Sequence, residues 1–508
     1  MPVQNREESN SAGELCSTGI QGLDEILGGG LPRHRFYLLE GDPGVGKTTL
    51  ALQFLLEGAR RGEKCLYITL SESKEEIEQV ARSHGLSLEA LHIVELSGLE
   101  AEMGQKNQNT LFHPSEVELQ DTVEVLKKHV ERIEPSRVAF DSLSELRLMA
   151  EMALRYRRQL LGFKQFLMGK NCTVLLLDDL SHHEMGDAQV QSIAHGVITL
   201  EKQQCQYGGE QRRLRIRKLR GQPFRGGNHD FTIAHGGLRI FPRLIAADHE
   251  KPYPDKTLKT GVNDLDKLLG GGLDVGTSNL FMGPAGTSKT TLALQCAHHA
   301  VAHGGKVLFF TFDETPRIIC KRAVGIGLDI RPFLQSGAII LRKLDPAEVG
   351  PGEFAHDIKT VVEKNKTEIV IIDSLNGYLA AMGDERVLSL HLHELLTYLS
   401  HQGITTIMTL TQSGLVGQMQ SPVDLTYLAD TVVLLRFFEA GGAVKKAISV
   451  MKKRSNDHET TIREFRVDSQ GLRIGEPLTQ FRGVLTGVPM FVGDVADMLK
   501  PRDERKKT

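Results

Sequence analysis

The sequence has few of the features that mark a membrane, secreted or strongly charged protein. Only six of its 508 residues are cysteine and none forms a C-x-x-C pair, which favours free thiols in a reducing compartment over a disulfide framework. No apolar run approaches the roughly 18–20 residues of a membrane-spanning helix. The formal net charge of −3 gives no overall attraction to nucleic acid or to an acidic membrane. These absences predict a cytoplasmic protein without a membrane segment.

The length and the ordinary composition indicate a globular chain of several domains. At roughly 150 residues per domain, a chain of this length predicts two to four domains. The polar start lacks an apolar signal core, so residues 1–14 are interpreted as a disordered leader. The charged end, residues 491–508, is interpreted as a tail.

Two halves of the chain carry the same motifs in the same order. The stretch TGIQGLDEILGGGL at 18–31 returns 242 residues later as TGVNDLDKLLGGGL at 260–273. Further matched pairs follow at a similar offset: LYITLSES with LFFTFDET, RVAFDSL with IVIIDSL, and IRKLRG with VMKKRS. Many shared motifs in one order at nearly constant spacing indicate a tandem duplication.

Within each half, apolar runs of strand length alternate with helical segments. In the first half, RFYLLEG leads into a glycine-rich loop and TTLALQFLLEGARRG follows with helical periodicity, before the strand-like runs KCLYITL, RVAFDSL and CTVLLLDDL. Near-continuous apolar strands alternating with helices predict an α/β protein with mainly parallel sheets covered by helices on both faces. We expect domains at 15–243 and 258–490, with a proline-containing linker at 244–257.

The glycine-rich loop of each half has the pattern of a phosphate-binding P-loop. GDPGVGKT at 41–48 matches G-x-x-x-x-G-K-[ST], whose lysine reaches the β- and γ-phosphates and whose hydroxyl binds Mg²⁺. GPAGTSKT at 283–290 has Ser288 in place of the second glycine, where a Cβ risks a clash with the phosphate. Because the lysine and hydroxyl remain, we expect this loop to bind ATP with altered affinity or slow turnover. The predicted ATP-binding residues are Gly41, Asp42, Pro43, Gly44, Val45, Gly46, Lys47, Thr48 and Thr49, with Gly283, Pro284, Ala285, Gly286, Thr287, Ser288, Lys289, Thr290 and Thr291.

Aspartates at the ends of two apolar runs are candidates for holding the metal ion. Asp141 and Asp373 each end such a run and are followed by serine. An aspartate at this place holds the Mg²⁺ shell in P-loop NTPases. The predicted metal sites are therefore Thr48 with Asp141, and Thr290 with Asp373. The alternative is a strand-end aspartate that caps a turn.

Carboxylates after the second strand are candidates for polarising the attacking water. TLSES offers Glu72 with Ser71 beside it, and TFDET offers Asp313 and Glu314. Glu72 has an alternative interpretation as a helix N-terminal acid, because SESKEE also fits a capping segment. Asp313 and Glu314 can repel each other enough to raise one pKa, which suits a general base for water or for a protein hydroxyl.

Basic residues recur at matching places on late strands of the two halves. Lys218 and Arg220 in KLR correspond to Lys452 and Arg454 in KKR. Such residues can project into the γ-phosphate of a neighbouring subunit and supply a large share of the rate of phosphoryl transfer. A solvated basic strand is the alternative, and the duplication favours the catalytic interpretation.

Together these motifs resemble the KaiC family, a bacterial and archaeal family that includes the circadian clock ATPase and kinase. The resemblance rests on T-G-x-x-x-L-D-x-x-L-G-G-G-L at the start of each half, on the FDS and IDS runs and on the K-x-R strands, and it covers roughly residues 15–490. It implies two tandem RecA-like P-loop NTPase domains in hexameric double rings, with ATP and Mg²⁺ at subunit interfaces and the K-x-R residues acting across them. It also implies ATPase activity, serine/threonine autokinase activity in the second domain, and a role in signalling or circadian-type regulation with an unidentified protein partner.

The chain departs from the clock proteins at two places. It has Ser71 and Glu72 where they have two glutamates. Their phosphoacceptors are a neighbouring serine and threonine, and here Thr426 and Tyr427 stand at those positions. Single-site phosphorylation of Thr426 is therefore the form of autokinase activity that the residues favour.

Two other functions fit a RecA-like core. One is a DNA-dependent ATPase of recombination or repair, resembling RecA or RadA, and the other is a nucleotide-gated interaction scaffold. The near-neutral charge and the lack of an aromatic–basic DNA loop disfavour a nucleic-acid partner. Very slow turnover with strong ATP-dependent assembly is what a scaffold predicts.

Overall fold

The computed structural model divides the chain into two compact units. The first ends at Arg243 and the second begins at Leu244. The residues described are 14–96, 114–150, 152–180, 187–203, 209–380, 385–414, 419, 421, 424–469, 471–486 and 489–492. Nearly all of the predicted leader and tail lies outside these ranges. Within them, no helix is both long enough and apolar enough to cross a membrane.

The first unit alternates strands and helices, as the apolar runs predict. Its strands are β1 (Leu15–Cys16), β2 (Leu31–Pro32), β3 (Phe36–Gly41), β4 (Cys65–Thr69), β5 (His92–Glu95), β6 (Arg137–Asp141), β7 (Thr173–Asp179), β8 (Gly196–Gln203), β9 (Gln211–Leu219), β10 (Asn228–Ala234) and β11 (Gly237–Phe241). Its helices are α1 (Gln21–Ile26), α2 (Lys47–Arg60), α3 (Lys74–Ser83), α4 (Pro114–Ile133), α5 (Leu143–Met149), α6 (Ala153–Gly169) and α7 (Asp187–Ile193).

The main sheet of this unit has nine strands, in the order β11-β10-β9-β8-β3-β7-β6-β4-β5. From β8 to β5 all neighbours are parallel, whereas β9, β10 and β11 pair antiparallel. Successive side chains of a strand point to opposite faces, and Leu38 and Leu39 of β3 accordingly belong to two different hydrophobic clusters. Burial on both faces explains why these strands read as continuous apolar runs.

The second unit repeats this arrangement. Its strands are β12 (Thr257–Leu258), β13 (Leu273–Asp274), β14 (Ser278–Pro284), β15 (Val307–Thr311), β16 (Ile339–Lys343), β17 (Ile369–Asp373), β18 (Thr405–Gln412), β19 (Thr431–Ala440), β20 (Ala443–Lys453), β21 (Arg463–Asp468), β22 (Gly471–Pro477), β23 (Phe481–Arg482) and β24 (Met490–Phe491). Its α-helices are α8 (Asn263–Leu268), α9 (Lys289–Ala302), α10 (Pro316–Gly325), α11 (Arg331–Gln335), α12 (Pro351–Asn365), α13 (Leu375–Ala380) and α14 (Glu385–His401), and 3₁₀ turns lie at Ala246–His249 and Val484–Thr486.

The sheet of the second unit also has nine strands, in the order β16-β15-β17-β18-β14-β19-β20-β21-β22. The strands from β16 to β19 are parallel, and β20 to β22 are antiparallel. The order therefore matches that of the first sheet strand for strand. In both units, the P-loop strand lies in the middle of the sheet, and one strand separates it from the strand that ends in the candidate aspartate.

The predicted linker at 244–257 packs onto the second unit. Leu244 and Ala246 are buried in the hydrophobic cluster that also contains residues of α14. The amide of Ala246 donates to the Glu394 carboxylate over 3.2 Å, and the amide of Lys251 donates to the carbonyl of His401 over 3.0 Å. Leu244 and Ala246 thus attach the start of this segment to the second unit, whereas its prolines predict only a linker.

Candidate functional site

The first glycine-rich loop turns the chain from β3 into α2. Gly44 and Gly46 have φ values of +73° and +115°, which glycine adopts without a steric penalty. A Cβ built on Gly46 would lie 2.7 Å from Cδ1 of Ile233, so this position needs glycine for space as well as for conformation. The loop opens a helix of 14 residues, whose free N–H groups and dipole favour a phosphate.

Lys47 is buried at the start of α2 and has three partners on its own chain. Its Nζ donates to the carbonyls of Gly41 and Asp42 over 2.8 and 2.9 Å, and lies 2.6 Å from Oδ1 of Asp179. Asp179 is not among the predicted site residues. It ends β7 directly beside Gly41 on the neighbouring parallel strand, so the second aspartate of LLLDDL is the signal that could have identified it.

Thr48 and Asp141 lie together at the carboxyl ends of these strands. The Thr48 hydroxyl is 3.2 Å from Oδ2 of Asp141, and the Tyr67 hydroxyl donates to the same oxygen over 2.5 Å. Burial raises the pKa of Asp141, although both hydrogen bonds favour its carboxylate form. A hydroxyl and one carboxylate are what Mg²⁺ uses when phosphates complete its shell. The described residues contain no group of three or more histidine, cysteine or acidic side chains that could hold a metal ion by themselves.

Glu72 follows β4 and faces the same cavity. The helix cap belongs to other residues, because Ser73 and Glu76 form a complete capping box at the start of α3. Oε2 of Glu72 is buried and has no hydrogen-bond partner among the described residues. Burial, reinforced by the negative charge of Asp141, raises the pKa of Glu72. A carboxylate in this state has an oxygen left to accept a proton.

These groups line one cavity of about 530 Å³ in the first unit. Seven of its lining residues are not among the predicted site residues: Ser71, Val80, His84, Ser142, Asp179, Arg212 and Ile233. Lys218 and Arg220 are not among the residues that line it. The cavity therefore combines the P-loop, the predicted metal-site residues and Glu72, but not the predicted basic residues of the same unit.

The second glycine-rich loop accommodates Ser288 in a left-handed conformation, with a φ of +77°. Lys446 on β20 donates to its Oγ over 2.6 Å. Burial lowers the pKa of Lys446. This contact joins residues 158 positions apart, and no pattern within either segment indicates it.

The other residues of the second loop lie as in the first. Nζ of Lys289 donates to the carbonyls of Gly283 and Pro284, each over 2.9 Å, and burial lowers its pKa to about 8. The Thr290 hydroxyl is 3.2 Å from Oδ1 of Asp373. The lysine, the hydroxyl and the aspartate thus stand together around Ser288.

The two carboxylates after β15 have separate partners. Both oxygens of Glu314 accept from Nη2 of Arg322, over 2.5 and 2.6 Å. Oδ2 of Asp313 accepts from the Ser374 hydroxyl over 2.7 Å. The sequence predicts that Asp313 and Glu314 repel each other. In the structure the guanidinium of Arg322 instead balances the charge of Glu314, and Asp313 has a separate partner.

The K-x-R residues bind the segment that precedes the neighbouring strand of their own unit. Lys218 donates to the carbonyl of Gln191 over 2.7 Å. Lys452 donates to the carbonyls of Thr426 and Ala429 over 3.0 and 2.7 Å. Burial lowers the pKa of both lysines. Arg220 and Arg454 are exposed, although Arg454 also lies 3.4 Å from a carboxylate oxygen of Asp430. The two lysines, and Arg454 with them, are therefore bound within their own unit rather than fully solvated.

The predicted phosphoacceptors lie in the segment that Lys452 holds. The Thr426 hydroxyl donates to Oδ1 of Asp424 over 2.6 Å. Tyr427 is 54% exposed, and its carbonyl accepts from Arg454 over 2.8 Å. A hydroxyl with a carboxylate partner thus lies beside two cationic side chains.

Comparison with known proteins identifies relatives across nearly the whole chain. The family model of the KaiC ATPase matches residues 16–245 and again 258–479. The chain is 26% identical to the circadian clock protein KaiC3 of Synechocystis sp., over 94% of this chain and 95% of that protein. It is 28% identical to KaiC2 of the same organism, over 93% and 83% of the two chains. It is 26% identical to the circadian clock oscillator protein KaiC of Acaryochloris marina, over 94% and 91%.

Proposed function

This chain belongs to the KaiC family of ATPases, and from that premise we propose that it is an ATP-hydrolysing ring protein whose second unit can phosphorylate itself. The observation that carries the proposal is the first cavity, where Lys47, Thr48, Asp141 and Glu72 converge on one space. The similar proteins carry the names of circadian clock proteins, and we extend to this chain a role in signalling or timing.

The first site has a residue for each requirement of hydrolysis. The amide groups of the loop and the ammonium of Lys47 bind the phosphates, and for this Lys47 exchanges its contact with Asp179 for the substrate. Glu72 accepts the proton of the attacking water, a role that its raised pKa and its free buried oxygen support. The water oxygen forms a bond to the γ-phosphorus as the bond from the γ-phosphorus to the β–γ bridging oxygen breaks, and the products are ADP and inorganic phosphate.

The donor set of the first site also fits Mg²⁺. Thr48 and Asp141 would hold the ion, and when bound it neutralises charge on the β- and γ-phosphates. Thr290 and Asp373 offer the same pair in the second unit. Asp141 and Asp373 are buried, which keeps these carboxylates in one place.

We infer that the K-x-R residues act between subunits. Lys218 and Arg220 do not line the cavity of their own unit, which supports an action on the nucleotide of a neighbour. A homo-hexamer with ATP at its interfaces gives each of them such a target. The same role falls to Lys452 and Arg454 in the second unit.

Autokinase activity is the second candidate, and Thr426 is its proposed acceptor. The Thr426 hydroxyl already donates to Asp424, so its proton has a carboxylate to go to when the oxygen attacks the γ-phosphorus. Hydrogen bonding from Thr426 lowers the pKa of Asp424, which keeps this residue ionised. ADP is the leaving group and a phosphothreonine the product.

Incubation of the full chain with Mg·ATP tests both activities. We expect ADP to accumulate, with a loss of about 10²–10⁴-fold in the first-site rate for Glu72→Gln, because a general base typically contributes that much. Intact-mass and peptide mapping should locate one phosphate on Thr426, absent in Lys289→Ala and in Thr426→Ala. ADP production without phosphate leaves an ATPase that is not a kinase. No ADP from the wild-type chain contradicts the proposal as a whole.

A further inference from the structure

The two units differ in the partner of the carboxylate that follows the second strand of each sheet. Glu72 and Glu314 occupy matching positions in TLSES and TFDET. Oε2 of Glu72 is buried without a hydrogen-bond partner in the described part of the chain, whereas both oxygens of Glu314 are held by Arg322. In the first unit Glu72 therefore has a carboxylate oxygen available to accept a proton, whereas in the second unit both oxygens of Glu314 already have a partner.

The difference comes from a single position on the helix that follows. Arg322 lies on α10, eight residues after Glu314, and its side chain reaches back past the start of the helix at Pro316. The matching position on α3 is Val80, which lines the cavity of the first unit. Valine has no donor for a carboxylate, so Glu72 meets no cation from this helix.

Arg322 contacts both carboxylate oxygens of Glu314, and these are the atoms with which a general base accepts a proton. A guanidinium is charged at every pH at which proteins fold, and so the pairing does not lapse near neutral pH. The two side chains are 31% and 28% exposed, which allows them to separate at a modest cost because such pairs are worth little in stability. Water must displace the arginine before Glu314 can accept its proton.

We propose that Arg322 is a positioning residue that withholds Glu314 from the nucleophile and so slows phosphoryl transfer at the second site. The proposal rests on the proposed function, since it concerns the rate of the same reaction. It adds that the two sites are set to different rates by the residue at one helix position, Val80 in the first unit and Arg322 in the second. Asp313, which accepts a hydrogen bond from Ser374, remains as a second carboxylate of this site whichever residue stands at position 322.

A reciprocal exchange between the two positions tests this proposal. In a Glu72→Gln background, which leaves ATP binding at the first site intact, the remaining turnover belongs to the second site. There Arg322→Val should raise kcat by about fivefold with KM unchanged, the size expected when a partly exposed ion pair is removed. Arg322→Lys keeps a charge near Glu314 and should stay close to the Glu72→Gln parent.

The reverse change is made in the otherwise wild-type chain. Val80→Arg should pair with Glu72 and lower the first-site kcat by about fivefold or more, while ATP binding is retained. Val80→Met adds bulk to the cavity lining without a charge and measures the steric part of the effect, so the loss of kcat in Val80→Arg should exceed that in Val80→Met by about fivefold. An equal loss of kcat in the two variants is a steric effect and overturns the proposal.

The outcomes separate this proposal from the proposed function. An unchanged kcat in Arg322→Val, with ADP still formed, overturns the role of Arg322 and leaves the ATPase in place. A change in KM alone assigns Arg322 to binding and also overturns it. Absence of turnover in the wild-type chain instead contradicts the proposed function.

Discussion

Ser288 is accommodated in the second loop because its surroundings differ from those of Gly46 in the first. A Cβ on Gly46 would collide with Cδ1 of Ile233 at 2.7 Å. In the duplicated sequence, Val467 stands at the position of Ile233 and lacks that carbon atom. Lys446 also donates to the serine hydroxyl. The exchange of glycine for serine thus coincides with a shorter side chain at the matching position of the sequence and with a hydrogen bond from Lys446.

The first loop should therefore tolerate a serine only when its neighbour is reduced as well. Gly46→Ser combines backbone strain at a φ of +115° with a steric clash, and we expect a loss of stability in the first unit of about 2–4 kcal/mol. Adding Ile233→Val should recover about 1 kcal/mol or more, since it removes the clash but not the strain. Hydrogen exchange over residues 36–60 of the full chain measures both effects. Equal destabilisation in the single and double variants would contradict the steric explanation.

The antiparallel strands at the edge of the first sheet depend on a buried neutral histidine. His229 on β10 is fully buried, its Nδ1 accepts from the amide of Arg243 over 2.9 Å, and its Nε2 lies 3.0 Å from the carbonyl of Arg225. Only the neutral ring satisfies both contacts. Burial, helped by the charges of Arg225 and Arg243, lowers the pKa of His229 to about 4, although the hydrogen bond to the Arg225 carbonyl and the charge of Glu25 oppose this shift.

This pKa predicts that the edge strands weaken in mild acid. The folded value of about 4 lies below the unfolded value of about 6.5, so the stabilisation is complete above pH 6.5 and is lost as the pH falls towards 4. The total loss is about 3 kcal/mol, of which about 1.4 kcal/mol should appear by pH 5.5. Hydrogen exchange in β10 and β11, corrected for the intrinsic rate, should therefore be about tenfold faster at pH 5.5 than at pH 7.5.

His229→Gln is the matched control for this effect. Glutamine can accept from Arg243 and donate to Arg225 but does not titrate. The acid-dependent loss of protection should disappear in this variant. If it persists, a group other than His229 causes it. The second unit has Arg463 at the matching position, so the same measurement on β21 gives an internal reference.

At the scale of strands and helices, the sequence predicts what depends on local patterns. Lys47, Thr48 and Asp141 come together because the P-loop and a strand-end aspartate each have a recognisable signature, and parallel strands end at the same edge. The ion pair of Arg322 with Glu314 depends on the direction of one side chain of α10. The hydrogen bond from Lys446 to Ser288 depends on how β20, which is distant in sequence, lies beside the loop. Tertiary packing sets these contacts, and neither segment alone contains a signal for them.

At the scale of the whole chain, the two duplicated units share the central residues of the candidate site and differ in the side chains that contact them. Both units keep the lysine, the hydroxyl and the strand-end aspartate, at nearly identical distances. They differ in the ion pairs beside these groups: Asp179 pairs with Lys47 in the first unit, and Arg322 pairs with Glu314 in the second. Such a division suits one site for steady hydrolysis and the other for a slower transfer.

Action of the K-x-R residues between subunits makes a quantitative prediction for mixed assemblies. With the second site silenced by Lys289→Ala, a Lys47→Ala chain lacks a working loop, and a Lys218→Ala, Arg220→Ala chain lacks the basic residues. Each alone should be inactive. Mixed in equal amounts and reassembled with ATP, they should recover up to about a quarter of the parent rate, because one interface in four joins an intact loop to intact basic residues.

A second mixture distinguishes this recovery from a general effect of assembly. Lys47→Ala and Glu72→Gln both damage the loop side of an interface, so no arrangement of these two chains produces a complete site. That mixture should stay inactive while forming particles of the same mass. Recovery in both mixtures would show a general effect of assembly, and recovery in neither would mean that Lys218 and Arg220 serve the nucleotide of their own chain. The structure disfavours this, because both lie outside the lining of the cavity in their own unit.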